Sequence, residues 1–251
     1  RLAVAVPTMM ALSVVVFVVL RLLPADPLGM MLPPSATSAE VEALRHAMGF
    51  DRSLIEQYGI WLGQVLHGDL GRSISSGAPV AQLIATTLPA TLELSFVALV
   101  MALAISVPRG LLLYVLHDRR GELVADAGLV LLISIPGFLW GIFLMLAFGV
   151  HWPILPFSGR FSSDASASGF TGFVLLDFLL QGRWQDWADA ASHLVLPALA
   201  LALGFSPLIV RVLRASLLEA SHEQYVTVAR LRGQPERRVI LRHRLRNALV
   251  P

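Results

Sequence analysis

The 251-residue chain contains no cysteine and no lysine, and only 14% of it is charged. Without cysteine there is no disulfide, no thiolate metal site, no iron–sulfur cluster and no cysteine nucleophile, and the redox compartment cannot be read from the sequence. Without lysine the phosphate-cradling Gly-x-x-x-x-Gly-Lys-[Ser/Thr] loop is impossible. No His-Glu-x-x-His occurs and the seven histidines are scattered, which argues against a zinc enzyme. Met30, Met31, His67 and His151 read as packing or surface residues rather than metal ligands, so neither a metal nor a cofactor is expected. Soluble domains carry about 25% charged residues. Here 56% of residues are hydrophobic and the mean hydropathy is +0.71, more apolar surface than a 27.2 kDa globule can hide. The composition points to an all-α polytopic membrane protein.

Apolar runs long enough to cross a hydrocarbon core of about 30 Å occur four times. The chain divides accordingly into a first span at 1–23, an external segment at 24–89, a second span at 90–116, a turn at 117–122, a third span at 123–150, an external loop at 151–189, a fourth span at 190–214 and a basic segment at 215–251. The first run, beside Arg1 and with no small-x-small cleavage site before Pro24, reads as a retained anchor rather than a signal peptide. Pro136-Gly137 predicts a kink in the third span, and Pro197, Gly204 and Pro207 predict interruptions of the fourth. Pro136 and Pro197 are therefore candidate pathway or gating positions. Glu93, in the second span near its outer end, is a candidate for gating or cargo contact, with structural hydrogen bonding as the competing reading. Arg109 near the other end is placed to snorkel to lipid phosphates.

All 19 basic residues are arginine, and their distribution orients the chain, because positively charged flanks stay in the cytoplasm. Residues 211–251 carry nine arginines against three acids, a net of +6, whereas 24–89 is −3 and 151–189 is −2. This predicts an inside N-terminus and an inside basic segment, with the two longer loops outside. Thr37 and Glu40 form a Thr-x-x-Glu capping box for a short helix that Gly49 closes. Ile55, Tyr58, Trp61, Leu62, Val65 and Leu66 make an apolar helical stripe, read as packing at the membrane interface, as are Trp152, Trp184 and Trp187 of the second loop.

In the basic segment, Ser221 and Gln224 form a Ser-x-x-Gln signature opening a helix that Gly233 stops, and Pro235 starts a second, arginine-rich helix. Such a unit could bind anionic lipid, nucleic acid or another protein. No aromatics interleave with the arginines, which argues against nucleic acid. Tyr225, Val226, Val228 and Leu231 are too many apolar positions for so short a helix to turn towards a bilayer, which favours protein docking, with lipid contact by the outward arginines.

The run Tyr225-Val-Thr-Val-Ala229-Arg230-Leu-Arg-Gly233, followed by Glu236-Arg-Arg-Val239, Arg242-His243 and Arg246-Asn-Ala-Leu-Val-Pro251, resembles the cytoplasmic loop of permease subunits in ATP-binding-cassette importers of the dipeptide, oligopeptide and nickel branch. The resemblance runs through the whole chain. Asp26-Pro27, Gly68-Asp-Leu-Gly71-Arg-Ser73, Pro79-Val80, Leu88-Pro-Ala-Thr-Leu-Glu93-Leu94, Ser134-Ile-Pro136, His193-Leu-Val-Leu-Pro197-Ala198 and Arg211-Val-Leu-Arg214 are similar to family signatures in the expected order.

That resemblance implies a type I-like helix bundle, a pore-forming subunit, and cargo that is a dipeptide or oligopeptide, with nickel as the alternative. An ion-driven secondary transporter is a remote alternative and a membrane enzyme a remoter one, because no polar relay sits at mid-depth. The implied partners are a second permease subunit in a heterodimer, two cytoplasmic ATPase subunits and a periplasmic or extracellular binding protein, in a bacterial inner membrane. ATP hydrolysis would belong to the ATPase subunits and not to this chain. The resemblance also implies that Gln224, Tyr225, Val226, Val228, Ala229, Arg230, Arg232 and Gly233 form the coupling helix that docks on an ATPase. Where importers in general carry Glu-Ala-Ala, three residues and Gly, this chain has Thr227-Val228-Ala229, so only Ala229 and Gly233 match. Family members continue with about two further spans beyond the position of Pro251, so about six are expected in a full chain, of which four are present.

Overall fold

The computed structural model describes residues 2–22, 37–47, 49, 51–73, 75–117, 120–162 and 171–248. Pro24, Asp26, Pro27, Met30, Met31, Arg119 and Pro251 lie outside them. The described residues are helical apart from turns, loops and one isolated bridge between Arg72 and Pro79. They fall into two compact units, Arg1–Thr87 and Leu88–Pro251.

The first unit holds α1 (Leu2–Leu22), α2 (Ser38–Ala47) and α3 (Leu54–Leu66). Helix α1 is apolar on every side and exposed almost throughout, as a helix surrounded by lipid is. Its one buried residue, Phe17, packs against Tyr58 and Trp61 of α3 with ring centroids 5.4 and 5.8 Å away. Ser13 and the Tyr58 hydroxyl are hydrogen-bonded at 2.8 Å. The aromatic stripe of α3 thus clasps α1. Both short helices carry capping boxes. Glu40 accepts from the Thr37 backbone N–H at 2.7 Å, and Ser53 with Glu56 makes a second box that the sequence reading passed over.

Helix α4 (Val80–Val115) starts in the last residues of the first unit, and the second unit holds the rest of it together with α5 (Arg120–Ser134), α6 (Gly137–Leu144) with a π-helical extension at Met145–His151, α7 (Val174–Leu180), α8 (Trp184–Ser221), α9 (Gln224–Leu231), and a final run made of α10 (Glu236–Arg238), a π-helical stretch Val239–Arg244 and α11 (Leu245–Ala248). Helices α1, α4 and α8 are each long and apolar enough to cross a membrane, and α5 with α6 makes a fourth such segment, bent by 92° at Ile135-Pro136. Pro136 cannot donate a backbone hydrogen bond, so the kink falls where Pro-Gly predicted it.

The predicted interruptions of the fourth span do not occur. Helix α8 runs 38 residues straight through Pro197 and Pro207. Packing of α6 and α7 on its length holds the helix together despite the two missing N–H groups. Helix α4 likewise contains Pro89 and Pro108.

Helix α8 is the spine. Leu144 of α6 packs on its Leu196 and Ala200, and Val174 and Phe178 of α7 pack on its Ala190. Between α4 and α8 the fit depends on small residues. Ala98, Ala102, Ser106 and Gly110 recur every fourth position on α4, Ala198, Ala202 and Ser206 on α8, and all are buried. Apolar side chains gain little by leaving lipid for one another, so backbone proximity and polar contacts hold such helices together. The Ser106 hydroxyl donates to Ser206 Oγ at 2.9 Å, both residues being fully buried. A Cβ on Gly110 would stand 2.8 Å from Leu213 Cδ2 and 3.2 Å from Cγ, whereas one on Gly141 would stand 3.8 Å from Ala200 Cβ. Gly110→Val is expected to cost about 1–3 kcal/mol through overpacking, and Gly141→Ala to leave stability unchanged. Thermal unfolding of the two purified variants in detergent checks the contrast.

Candidate functional site

The basic segment folds into a hook at one end of the second unit. Helix α9 has eight residues, too few to be stable alone in water, so its neighbours must hold it. Its C-terminus closes in a Schellman arrangement. Gly233 adopts φ 71°, its N–H donates to the Arg230 carbonyl at 2.9 Å, and the Gln234 N–H donates to the Ala229 carbonyl at 3.3 Å. Only glycine takes that φ without a Cβ penalty. The expected cap at the other end is not formed. Ser221 is the last residue of α8, its hydroxyl donating to the Leu218 carbonyl at 2.6 Å, and Glu223 stands at the N-cap without a side-chain bond. Burial of Leu217 and Ala220 carries α8 past the position where the motif would have opened a new helix.

The hook also sorts the residues that the sequence put on a single docking surface. Val226 and Ala229 point inward, where they pack with Tyr225 against Val239 of the final helical run. They are buried within this chain, so Ala229 permits close approach of the chain to itself. Facing outward are Gln224, Thr227, Val228 and Leu231, a ridge at helical spacing, with Leu231 82% exposed. Arg230 and Arg232 are exposed beside it. Leu231 is expected from the sequence as an apolar docking position, whereas Thr227 is not. The 3.6-residue period, applied outward from buried Val226 and Ala229, would have found it.

Arg230 makes a two-pronged bond to Glu236, at 3.1 Å from Nε and 2.8 Å from Nη2. This bond holds the Glu236 carboxyl below the ordinary carboxylate range and raises Arg230. Arg244 is 1% exposed, lies over the Tyr114 ring with its guanidinium carbon 5.5 Å from the centroid, and donates to the Tyr114 hydroxyl. Its Nη2 is 3.4 Å from Glu236. Burial pulls its pKa down from the usual arginine value. At the same end, Arg214 of α8 donates to Asp126 at 2.9 Å and to Glu122, tying α8 to α5. His117 lies 3.0 Å from Glu122.

At the opposite end of the unit, the Glu93 side chain is 9% exposed and fully engaged. Its Oε2 accepts from Arg160 at 3.1 Å and its Oε1 from the Leu175 backbone N–H at 2.7 Å. Glu93 thereby fastens α4 to the loop and to α7. Glu93, Arg160, His193 and Pro197 line a cavity of about 190 Å³. Pro136 is not among its lining residues; the break it makes packs on α8, where Gly137 Cα would lie 3.7 Å from a Cβ on Gly204.

Residues 106–251 match the family described as binding-protein-dependent transport system inner membrane component, and residues 1–95 match the N-terminal family of the same system. The chain belongs to this permease family. Among its relatives is the dipeptide transport system permease protein DppB of Escherichia coli strain K12, 35% identical over 258 residues that cover 100% of this chain and 75% of the relative. The di/tripeptide permease DppB of Pseudomonas aeruginosa is 34% identical, with 100% of this chain and 75% of the relative covered. The oligopeptide permease AppB of Bacillus subtilis is 30% identical, with 100% and 74% covered. The permease is a multi-pass helical membrane protein of the ATP-binding-cassette importer class.

A pH dependence follows for the hook. Glu236 is shifted down in the folded protein, so its bond to Arg230 contributes fully above the ordinary carboxylate pKa and is lost as pH falls through the lowered value. Amide protection at Arg232–Gln234, the exchange rate relative to that of an unstructured peptide at the same pH, is expected to fall on acidification below that range, and Glu236→Gln to show the lower protection already at pH 7, with a flatter profile.

Proposed function

We propose that this permease is a pore-forming subunit of an ATP-driven importer of dipeptides and oligopeptides. One observation carries the mechanism: a short helix held from behind by its own chain, with a clean outward ridge of Gln224, Thr227, Val228 and Leu231. The cargo reading draws on the relatives, which are named as peptide permeases. In this reading α9 is the coupling helix. Two cytoplasmic ATPase subunits hydrolyse the ATP, one of them taking the ridge in a surface cleft. A second, different permease subunit completes the pathway, and a binding protein outside the membrane delivers the peptide.

The arginine distribution supports an orientation with the hook in the cytoplasm and the loops 24–89 and 151–189 outside. The spans at 1–23, 90–116, 123–150 and 190–214 then cross the bilayer, with 117–122 a cytoplasmic turn. Helix α4 begins ten residues before its predicted span and α8 ends seven after its own, so both helices extend beyond the hydrocarbon. Glu93, with both oxygens engaged, acts as a fastener of the outer mouth rather than as a free charge awaiting cargo. Pro136 supplies the bend and Pro197 a wall of the outer cavity.

Three measurements test this. In proteoliposomes holding the assembled transporter, labelled dipeptide uptake is expected to require ATP, the ATPase subunits and the loaded binding protein. Uptake on an ion gradient without them would overturn the reading. Residues 1–251 contain no cysteine, so Leu231→Cys places a reactive thiol on the ridge and is expected to cross-link to a cysteine-bearing ATPase, whereas Val226→Cys, buried in the hook, is not. Gly233→Val, which forces a β-branched residue into positive φ, is expected to lower uptake per ATP while the protein remains folded.

A further inference from the structure

The final helical run touches two things at once, and its register explains how. Val239, Arg244 and Ala248 are all buried. In a regular α-helix a residue five positions on lies about 140° around the axis, so Val239 and Arg244 could not share a face. The stretch Val239–Arg244 is π-helical, and its wider turns bring the two onto one side. Val239 packs on Val226 and Ala229 of α9. Ala248 and Leu245 pack on Leu213 and Leu217 of α8, in a cluster that includes Val107, Leu111 and Tyr114 of α4. Between these apolar ends runs a polar chain: Arg230 to Glu236, Glu236 to Arg244, and Arg244 to the Tyr114 hydroxyl near the end of α4.

Arg244 is an unusual choice for a mere packing residue. A buried cation costs desolvation that methionine or leucine would not, and among the described residues its Nε and Nη2 have no hydrogen-bond partner.

We propose that Arg244 is a positioning residue for energy coupling. It links α9 to the end of α4 through Arg230, Glu236 and Tyr114, so that a displacement of α9 by its docked ATPase moves α4 with it. This rests on the reading of α9 as the coupling helix. Without the link, α9 would still dock, but its movement would be absorbed within the hook.

The test uses the assembled transporter in proteoliposomes with Arg244→Met, which keeps an apolar chain of similar reach, and Tyr114→Phe, which keeps the ring and removes only the acceptor. Three quantities are read: thermal stability, cross-linking of Leu231→Cys to the ATPase, and labelled dipeptide taken up per ATP hydrolysed. The expected result is retained cross-linking with uptake per ATP lower by about tenfold, the size expected for one charge-assisted hydrogen bond, and hydrolysis that no longer responds to the loaded binding protein. If Arg244→Met fails to assemble, Tyr114→Phe decides alone. Wild-type uptake per ATP in assembled Tyr114→Phe overturns the link and leaves the permease reading intact, whereas a wild-type transporter without ATP-dependent uptake overturns both.

Discussion

Hydrocarbon offers no hydrogen bonds, so every polar group placed in it must find a partner within the protein. The rest of this structure follows from that constraint. It makes the spans helical, since a helix satisfies its own backbone. It makes the contact between α4 and α8 a seam of small residues with one serine pair at its centre, because apolar side chains have little to gain by leaving lipid. It also explains why Glu93 has both carboxylate oxygens engaged.

The charged residues that remain do mechanical work. They gather at the two ends of the second unit, and each group ties separate elements together: Glu93 and Arg160 join α4 to the loop after α6, Arg214 with Asp126 and Glu122 joins α8 to α5, and Arg230, Glu236 and Arg244 join the hook to Tyr114 of α4. The partly buried pairs among them, Glu93–Arg160 and Arg214–Glu122, are less screened than fully exposed ones. Packed apolar faces can slide past one another, whereas a paired charge holds its place.

Much of the fold was legible because the signals were local. Apolar run length located the long apolar helices, Pro136-Gly137 marked the bend, Thr37 and Glu40 the cap, and Gly233 the stop of α9. Misreadings arose where a local signal met a stronger tertiary one. Pro197 and Pro207 did not break α8, because its neighbours stabilise it along its length. Ser221 did not cap α9, because packing at Leu217 and Ala220 carried α8 through it. Val226 and Ala229 left the expected docking surface because another part of the chain, Val239, reached them first.

By itself the sequence determined that this is a membrane protein with a basic hook, that it carries no phosphate-binding lysine, and, through motifs strung along its length, which family it belongs to. These depend on composition, run length and spacing, which survive without knowledge of neighbours. Only the tertiary structure decided which face of α9 looks outward, that Glu93 is a fastener, and that Arg244 reaches Tyr114 across 130 residues of chain. Those outcomes depend on which distant side chain arrives first at a site where only one partner fits, and spacing along the chain does not encode that.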